Sequence, residues 1–490
     1  MKRTFAIVAV LVVGIVVTLG GGTLRAAPPA AEKPAKTPAC RVAVDPRVEL
    51  MCVIFRLAGN REYNRSSLRG YVDDVTKQFG PFRDHAVVKL AQKLHGTRGI
   101  SYDAPMSMAV LLPDPGEMKD EAFLTPRPKT LDGRWTSDDA REFVAAARQF
   151  VKDASFQEFL DKHRELYKQT ESQLQTLLDK ETHLEWFNTF FGDRPGAAFM
   201  VVPALLNGPC NYGSSRRTAD GREELYCILG VWYSDKQGTP RFTNDQVSTI
   251  VHEFCHSYAN PIIDRHAAEL QAAGEKIFPA VARRMNAMAY GNWKTMFYES
   301  LVRACVLRYT RHHDGATAAW MATQRERANG FAWMGGLSDL LGEYETHRDK
   351  YPTLEAFAPR LVAFFDDYAK KPVARPPKVV SMTPANGATG VDPSLKTIQV
   401  VFDRPMINSW SMCGGGPHFP EIVGKPAYDA KRTTWTVHVK LKPEWEYHFA
   451  LNAASYSGFQ SAEGVPLESV EVTFKTAKTK SDAEKNDDQR

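Results

Sequence analysis

Residues 247–260 constrain this chain more than any other stretch, because they carry His252-Glu253-Phe254-Cys255-His256 within a helical pattern. On a helix, side chains four apart share a face, so His252 and His256 can present two imidazoles to one metal ion. Glu253 follows about 100° around the helix, where a carboxylate can reach a water activated by that ion. Thr243 is suited to be the N-cap, and Gln246 completes a capping box. Val247, Ile250, Val251, Phe254 and Tyr258 form one apolar stripe. Pro261 is expected to stop the helix. The strand-like run Leu225–Tyr233 just before it is expected to be an edge strand.

Two imidazoles do not complete a hydrolytic zinc site, which needs a third protein ligand and an open position. The extended pattern HExxHxxGxxH fails here, since Ala259 and Ile262 occupy the Gly and final His positions, and Asp264 and His266 are out of register. A second helix can supply the ligand. Residues 292–309 place Trp293, Met296, Phe297, Leu301, Ala304 and Cys305 on an apolar side, with Glu299 among them. A carboxylate in such surroundings needs a partner, and a cation provides one. Arg303, four residues on, either pairs with Glu299 at the surface or holds its carboxylate from behind. The expected metal ligands are therefore His252, His256 and Glu299, with Glu253 as the catalytic base and Zn2+ as the cofactor.

Around this centre the chain reads in blocks. Residues 1–26 have the form of a signal peptide: Lys2 and Arg3, the apolar run Phe5–Leu19, and a cleavage site before Ala27. That run is short of the roughly twenty residues that span a bilayer, so an uncleaved membrane anchor is the rival reading. Either way the bulk of the chain is expected to be exported, to the periplasm, cell envelope or exterior. Residues 27–40 read as a flexible spacer. Helical spacing over Tyr71–Leu94 and Ser137–Leu178, with a short apolar helix in Val44–Gly59, predicts a helical wall. Ala197–Leu206 is strand-like, and Asn207–Gly213 reads as a turn in which Tyr212 is a weak candidate for an oxyanion-stabilising hydroxyl. After Glu299 helical patterning continues to Tyr368, with a turn expected at Gly335-Gly336. Lys370–Pro377 is a proline-rich linker. Residues 378–476 alternate as short strands, including Thr397–Phe402, Thr434–Leu441, Tyr447–Asn452 and Val470–Phe474, the pattern of an antiparallel sandwich. Residues 477–490 are charged and expected to be disordered.

The net charge of +5 is mild for 490 residues and comes with no dense basic cluster, which argues against nucleic acid as a partner. None of the seven cysteines is spaced as a zinc site. Cys210 and Cys227 flank a turn and are candidates for a hairpin disulfide in an exported chain.

These residues carry a resemblance. HEFCH with the downstream helical Glu299 is similar to the gluzincin group of zinc metallopeptidases. The stretch from Val44 to Tyr368, with VDPRVEL, CNYG, HEFCHSYANP and YESLVRA, resembles an uncharacterised family of exported bacterial proteins. SMTPANGATGVDP followed by IQVVFDRPM resembles bacterial Ig-like domains. The resemblance implies an α+β chain: a mainly helical zincin-type domain with a small sheet at 41–369, then an all-β Ig-like sandwich. It implies hydrolysis of a peptide or protein substrate, with the Ig-like module available to a cell-envelope component. Two other readings stand beside it: a non-catalytic zincin-fold binding or scaffold protein, and a zinc hydrolase of cell-wall peptide amides.

Overall fold

The computed structural model describes residues 40–371, 375–453, 456–462 and 464–478. The expected signal peptide, the spacer up to Pro38 and nearly all of the C-terminal tail lie outside the described residues. Cys40, assigned to the spacer, instead opens the first strand, and Ala477 donates its amide to Val391.

The chain starts with β1 (Cys40–Val42) and a helical wall of α1 (Pro46–Leu57), α2 (Arg69–Phe79), α3 (Ala86–Arg98), α4 (Asp103–Ala109), α5 (Ser137–Asp153), α6 (Phe156–Lys162), α7 (Arg164–Glu181) and α8 (Glu185–Phe191). Then come β2 (Ala197–Ala204), β3 (Tyr212–Arg217), β4 (Glu223–Gly230) and a short ribbon of β5 (Tyr233–Ser234) and β6 (Pro240–Arg241). Six helices follow: α9 (Val247–Arg265), α10 (Ala267–Ala287), α11 (Trp293–His313), α12 (Gly315–Ala328), α13 (Met334–Thr346) and α14 (Leu354–Lys370). Among the described residues, no helix is long and apolar enough to cross a membrane.

The sheet order is β1-β2-β4-β3, parallel except for the antiparallel β3–β4 pair. Alternation divides its side chains between two cores. Val202, Tyr226 and Ile228 face the N-terminal wall, while Phe199, Val201, Leu225, Cys227 and Leu229 face α9 and the later helices. Covering on both faces is why β2 and the Leu225–Leu229 part of β4 read as continuous apolar runs. Leu225–Tyr233 is therefore not the edge strand: most of it runs inside the sheet, and the edge is β3. β3 includes Tyr212 and Gly213, which had been expected in a turn. Its sequence YGSSRR carries no apolar alternation because one of its sides pairs with no strand.

The expected hairpin disulfide is absent, and all seven cysteines are free. The register sets Gly213, not Cys210, opposite Cys227. Cys210 packs against the N-terminal core and Cys227 lies in the other, so the sheet separates the two thiols. Gly335 and Gly336 form no turn but sit inside α13, where a Cβ on Gly336 would come within 3.2 Å of the Phe364 ring. Glycine there serves close packing of α13 on α14.

Beyond the helices, β7 (Val379–Thr383), β8 (Ala388–Val391), β9 (Thr397–Phe402), β10 (Met412–Cys413), β11 (Glu421–Ile422), β12 (Ala427–Tyr428), β13 (Thr434–Lys440), β14 (Glu446–Leu451) and β15 (Val470–Thr476) form two facing sheets. Ile398, Val400, Trp435, Val437, Phe449 and Val472 fill the space between them.

The VDPRVEL stretch ties the wall to the sheet. Asp45 caps α1 by accepting from the Arg47 amide. The Arg47 guanidinium donates to Asp45, to the Val110 and Leu112 carbonyls and to the Tyr226 hydroxyl. Glu49 is buried and accepts from the Leu205 amide at 3.0 Å and the Tyr71 hydroxyl at 2.8 Å. Burial outweighs those hydrogen bonds and pushes its carboxyl up from 4.5 to about 7. A raised carboxyl pKa means that the folded state binds the proton more tightly. Its stabilising share is thus fully present below about 4.5 and is lost as pH rises to about 7. Glu49→Gln is expected to flatten the fall of melting temperature between those limits, measured by calorimetry across the pH range. An unchanged slope would remove Glu49 as its source.

Candidate metal centre

α9 forms as its sequence indicates at its start. Thr243 and Gln246 make the capping box, with the Thr243 amide donating to Gln246 Oε1 at 3.1 Å. Its end differs. Pro261 does not stop the helix, which continues to Arg265 with the proline inside. Proline cannot donate to the carbonyl four residues back, that of Ser257. Arg194, in the loop before β2, donates to that carbonyl at 2.9 Å and pairs with Glu223 on β4 through two 2.9 Å bonds. An external guanidinium thus replaces the missing helical hydrogen bond.

α11 starts at the Asn292 cap, whose side chain accepts from the Thr295 amide. It packs against α9 so that His252, His256 and Glu299 offer ligand atoms all within 4.8 Å of one another. His252 Nε2 lies 3.6 Å from Glu299 Oε2, and His256 Nε2 lies 3.5 Å from Oε1. A tetrahedral zinc site with bonds of about 2.0–2.1 Å has ligand-to-ligand edges of roughly 3.3 Å, and the two histidines approach that distance, each toward a different oxygen of Glu299. His256 Nδ1 lies 3.2 Å from Asn260 Oδ1. An Nδ1–H donated there leaves Nε2 bare toward Glu299, the arrangement a metal ligand needs.

Glu299 is held from behind. Arg303 Nε donates to its Oε2 at 3.1 Å, while the other guanidinium nitrogens donate to Glu326 on α12 at 2.7 Å and to the Tyr290 hydroxyl at 2.9 Å. Burial opposes ionisation of Glu299, yet His252, His256 and Arg303 together keep its carboxyl below the usual range. Burial also lowers His252 to about 3, leaving a neutral imidazole with a lone pair to offer.

Glu253 is buried beside the pair, and burial raises its carboxyl to about 7. The Gly213 amide faces that carboxylate and favours its charged form against burial. This requires β3 to lie hard against α9: a Cβ on Gly213 would sit 2.5 Å from the Glu253 carbonyl oxygen. Only glycine permits that approach. The neighbouring Tyr212 points to the other face of the sheet, into the N-terminal core beside Cys210, so it does not serve this centre. Strand alternation dictates the outcome once Gly213 faces α9.

The structure brings His252, His256 and Glu299 together, with Glu253 and Arg303 adjacent, the grouping expected from the sequence. Asn260, four residues after His256 and on the same face, was legible by the same spacing and was missed. Tyr290, Glu326 and Arg194 had no local signal, since each reaches its partner from a distant segment.

A profile of the family described as "Domain of unknown function (DUF4932)" matches residues 40–364, and one described as "Bacterial Ig-like domain" matches residues 373–476. No curated protein matches the chain. Among solved structures, "Structure of surface layer protein SbsC, domains 1-6" is 16% identical, with 47% of this chain and 33% of that chain covered at a TM-score of 0.17. "Crystal structure of the S-layer protein rSbsC(31-844)" is 13% identical, with 80% and 46% covered, also at 0.17. The chain spans less than half of either, and overlap that poor assigns neither fold nor function. The family match covers well over half of the sequence and contains every residue of the centre: the chain belongs to the family of the domain of unknown function DUF4932 and carries a bacterial Ig-like domain after it.

Proposed function

We propose that this protein is an exported zinc metallopeptidase of the zincin type. The observation that carries the reading is the convergence of His252, His256 and Glu299, with buried Glu253 alongside and an open strand edge adjacent. His252, His256 and Glu299 would hold the zinc. When bound, zinc supplies Lewis acidity and makes a water acidic enough to act near neutral pH.

The chain's own residues account for the rest. Glu253 takes the proton from the attacking water and passes it to the leaving amine. The Gly213 amide fixes the carboxylate that makes the transfer. Arg303, Tyr290 and Glu326 orient Glu299. An extended polypeptide can add to the open edge of β3 through backbone hydrogen bonds, which brings its peptide bonds to the Gly213–Glu253 contact.

A second reading, a zincin-fold binding or scaffold protein that holds metal without turnover, is favoured by one observation. The hydroxyl expected to stabilise an oxyanion, that of Tyr212, faces away from the centre. Export rests on the leader-like residues 1–26, and a role in the cell envelope rests on the Ig-like module.

The purified mature chain is expected to bind one zinc, measured by elemental analysis, and Glu299→Ala is expected to lose it or weaken it by at least roughly tenfold, as the loss of a ligand should exceed that of an outer-shell partner. No zinc in the wild type would end the peptidase reading. Glu253→Gln is expected to keep zinc while losing hydrolysis of casein and of purified cell wall, assayed side by side. Turnover retained in that variant would remove Glu253 as the base. Zinc binding with no hydrolysis of either substrate by the wild type would favour the scaffold reading, and digestion of cell wall alone would select the amide-hydrolase alternative.

A further inference from the structure

A cavity of about 660 Å³ opens at the Arg217 end of β3. Arg216, Arg217 and Thr218 form one wall, and Leu111, Phe123 and Lys129 from the loop between α4 and α5 form the other. The acids in and beside it are already matched. Glu223, which lines the cavity opposite Arg217 in the ladder, is gripped by Arg194 through two hydrogen bonds, while Glu224 takes the Arg216 guanidinium at 2.6 Å and Asp220 takes Arg222 at 2.6 Å. Arg217 and Lys129 are exposed and form no ion pair among the described residues; the Arg217 side chain touches only the Gly221 carbonyl, at 3.3 Å. The cavity therefore carries two unmatched positive charges over a partly apolar floor of Leu111 and Phe123.

Its position is set by the strand. The Gly213 amide turns outward to Glu253. In an antiparallel pair, amides alternate between the partner strand and the open side, so Ser215 and Arg217 also turn outward. A chain paired along this edge stays in register from Gly213 to Arg217, four residues and about 13 Å away. A side chain at that distance from the Gly213 level meets Arg217 and Lys129.

We propose that the Arg217–Lys129 cavity is an acid-selecting subsite: it takes an Asp or Glu of an extended polypeptide, about four residues from the bond held at Gly213. The cations supply charge complementarity, and Phe123 and Leu111 receive the methylene stem. The inference rests on the peptidase reading only for calling that bond the one cleaved.

The test uses the zinc-loaded mature chain bearing Glu253→Gln, so that bound peptides stay intact. Fluorescence anisotropy compares two labelled extended peptides that differ by Glu against Gln at one position, scanned along the sequence. The Glu peptide is expected to bind roughly fivefold tighter at one register, the scale of two exposed ion pairs. Adding Lys129→Gln with Arg217→Gln is expected to erase that difference while the Gln peptide binds as before. Equal affinities at every register, or a preference that survives the double substitution, overturns the proposal. The two readings fail separately. A wild-type chain that cleaves casein with no acidic residue enriched near its cuts loses the subsite and keeps the peptidase. A chain that cleaves nothing yet shows the erasable Glu preference keeps the subsite and loses the peptidase.

Discussion

A carboxylate buried between two helices must be compensated, and the compensation of Glu299 organises the second half of the helical region. Its two oxygens face two imidazoles on α9 and a guanidinium on α11 itself. That guanidinium is fixed in turn by Glu326 on α12 and by Tyr290 from the segment after α10. Four stretches of chain therefore converge on one acid. Removing a single partner from such a buried set leaves an uncompensated charge, at a cost of roughly 3–5 kcal/mol. A Glu299 that stood at the surface would need none of this scaffolding.

The sheet provides the complementary half. It lies between two apolar cores, so both faces are closed and only its edges remain for chemistry. Arg47 and Glu49 fix α1 to the back of the sheet. On the front, α9 approaches β3 closely enough that a Cβ on Gly213 would sit 2.5 Å from the Glu253 carbonyl oxygen. The centre thus sits where the single antiparallel edge strand meets the histidine-bearing helix.

Much of this was legible in residue order. The helices announced themselves by 3.6-residue periodicity, the start of α9 by its capping box, and the grouping of His252, His256 and Glu299 by spacing plus the apolar neighbours of Glu299. The sandwich strands matched their alternating runs closely, β9 at both ends. What was hidden shares a cause: it depends on partners remote in sequence. The polar run Tyr212–Arg217 looks like a turn until β4 pairs with it. Pro261 looks like a terminator until Arg194 supplies the missing donor. Gly335 and Gly336 look like punctuation until α14 is packed against them. Tyr212 sat beside the right strand position but on the wrong face, an ambiguity that a one-residue change of parity always creates.

The two restraints on α9 have a thermodynamic consequence. The Thr243–Gln246 box fixes where the helix begins, and Arg194 grips it at Ser257, one residue beyond His256. Between these clamps the helix has little freedom to rotate or slide, so the imidazoles already face Glu299 in the folded chain. The ordering of these three side chains is thus completed during folding. In zinc fingers the metal's binding energy is the folding energy. Here the polypeptide brings the two imidazoles and the carboxylate together on its own, so any cation bound there would add its binding energy to a fold already formed.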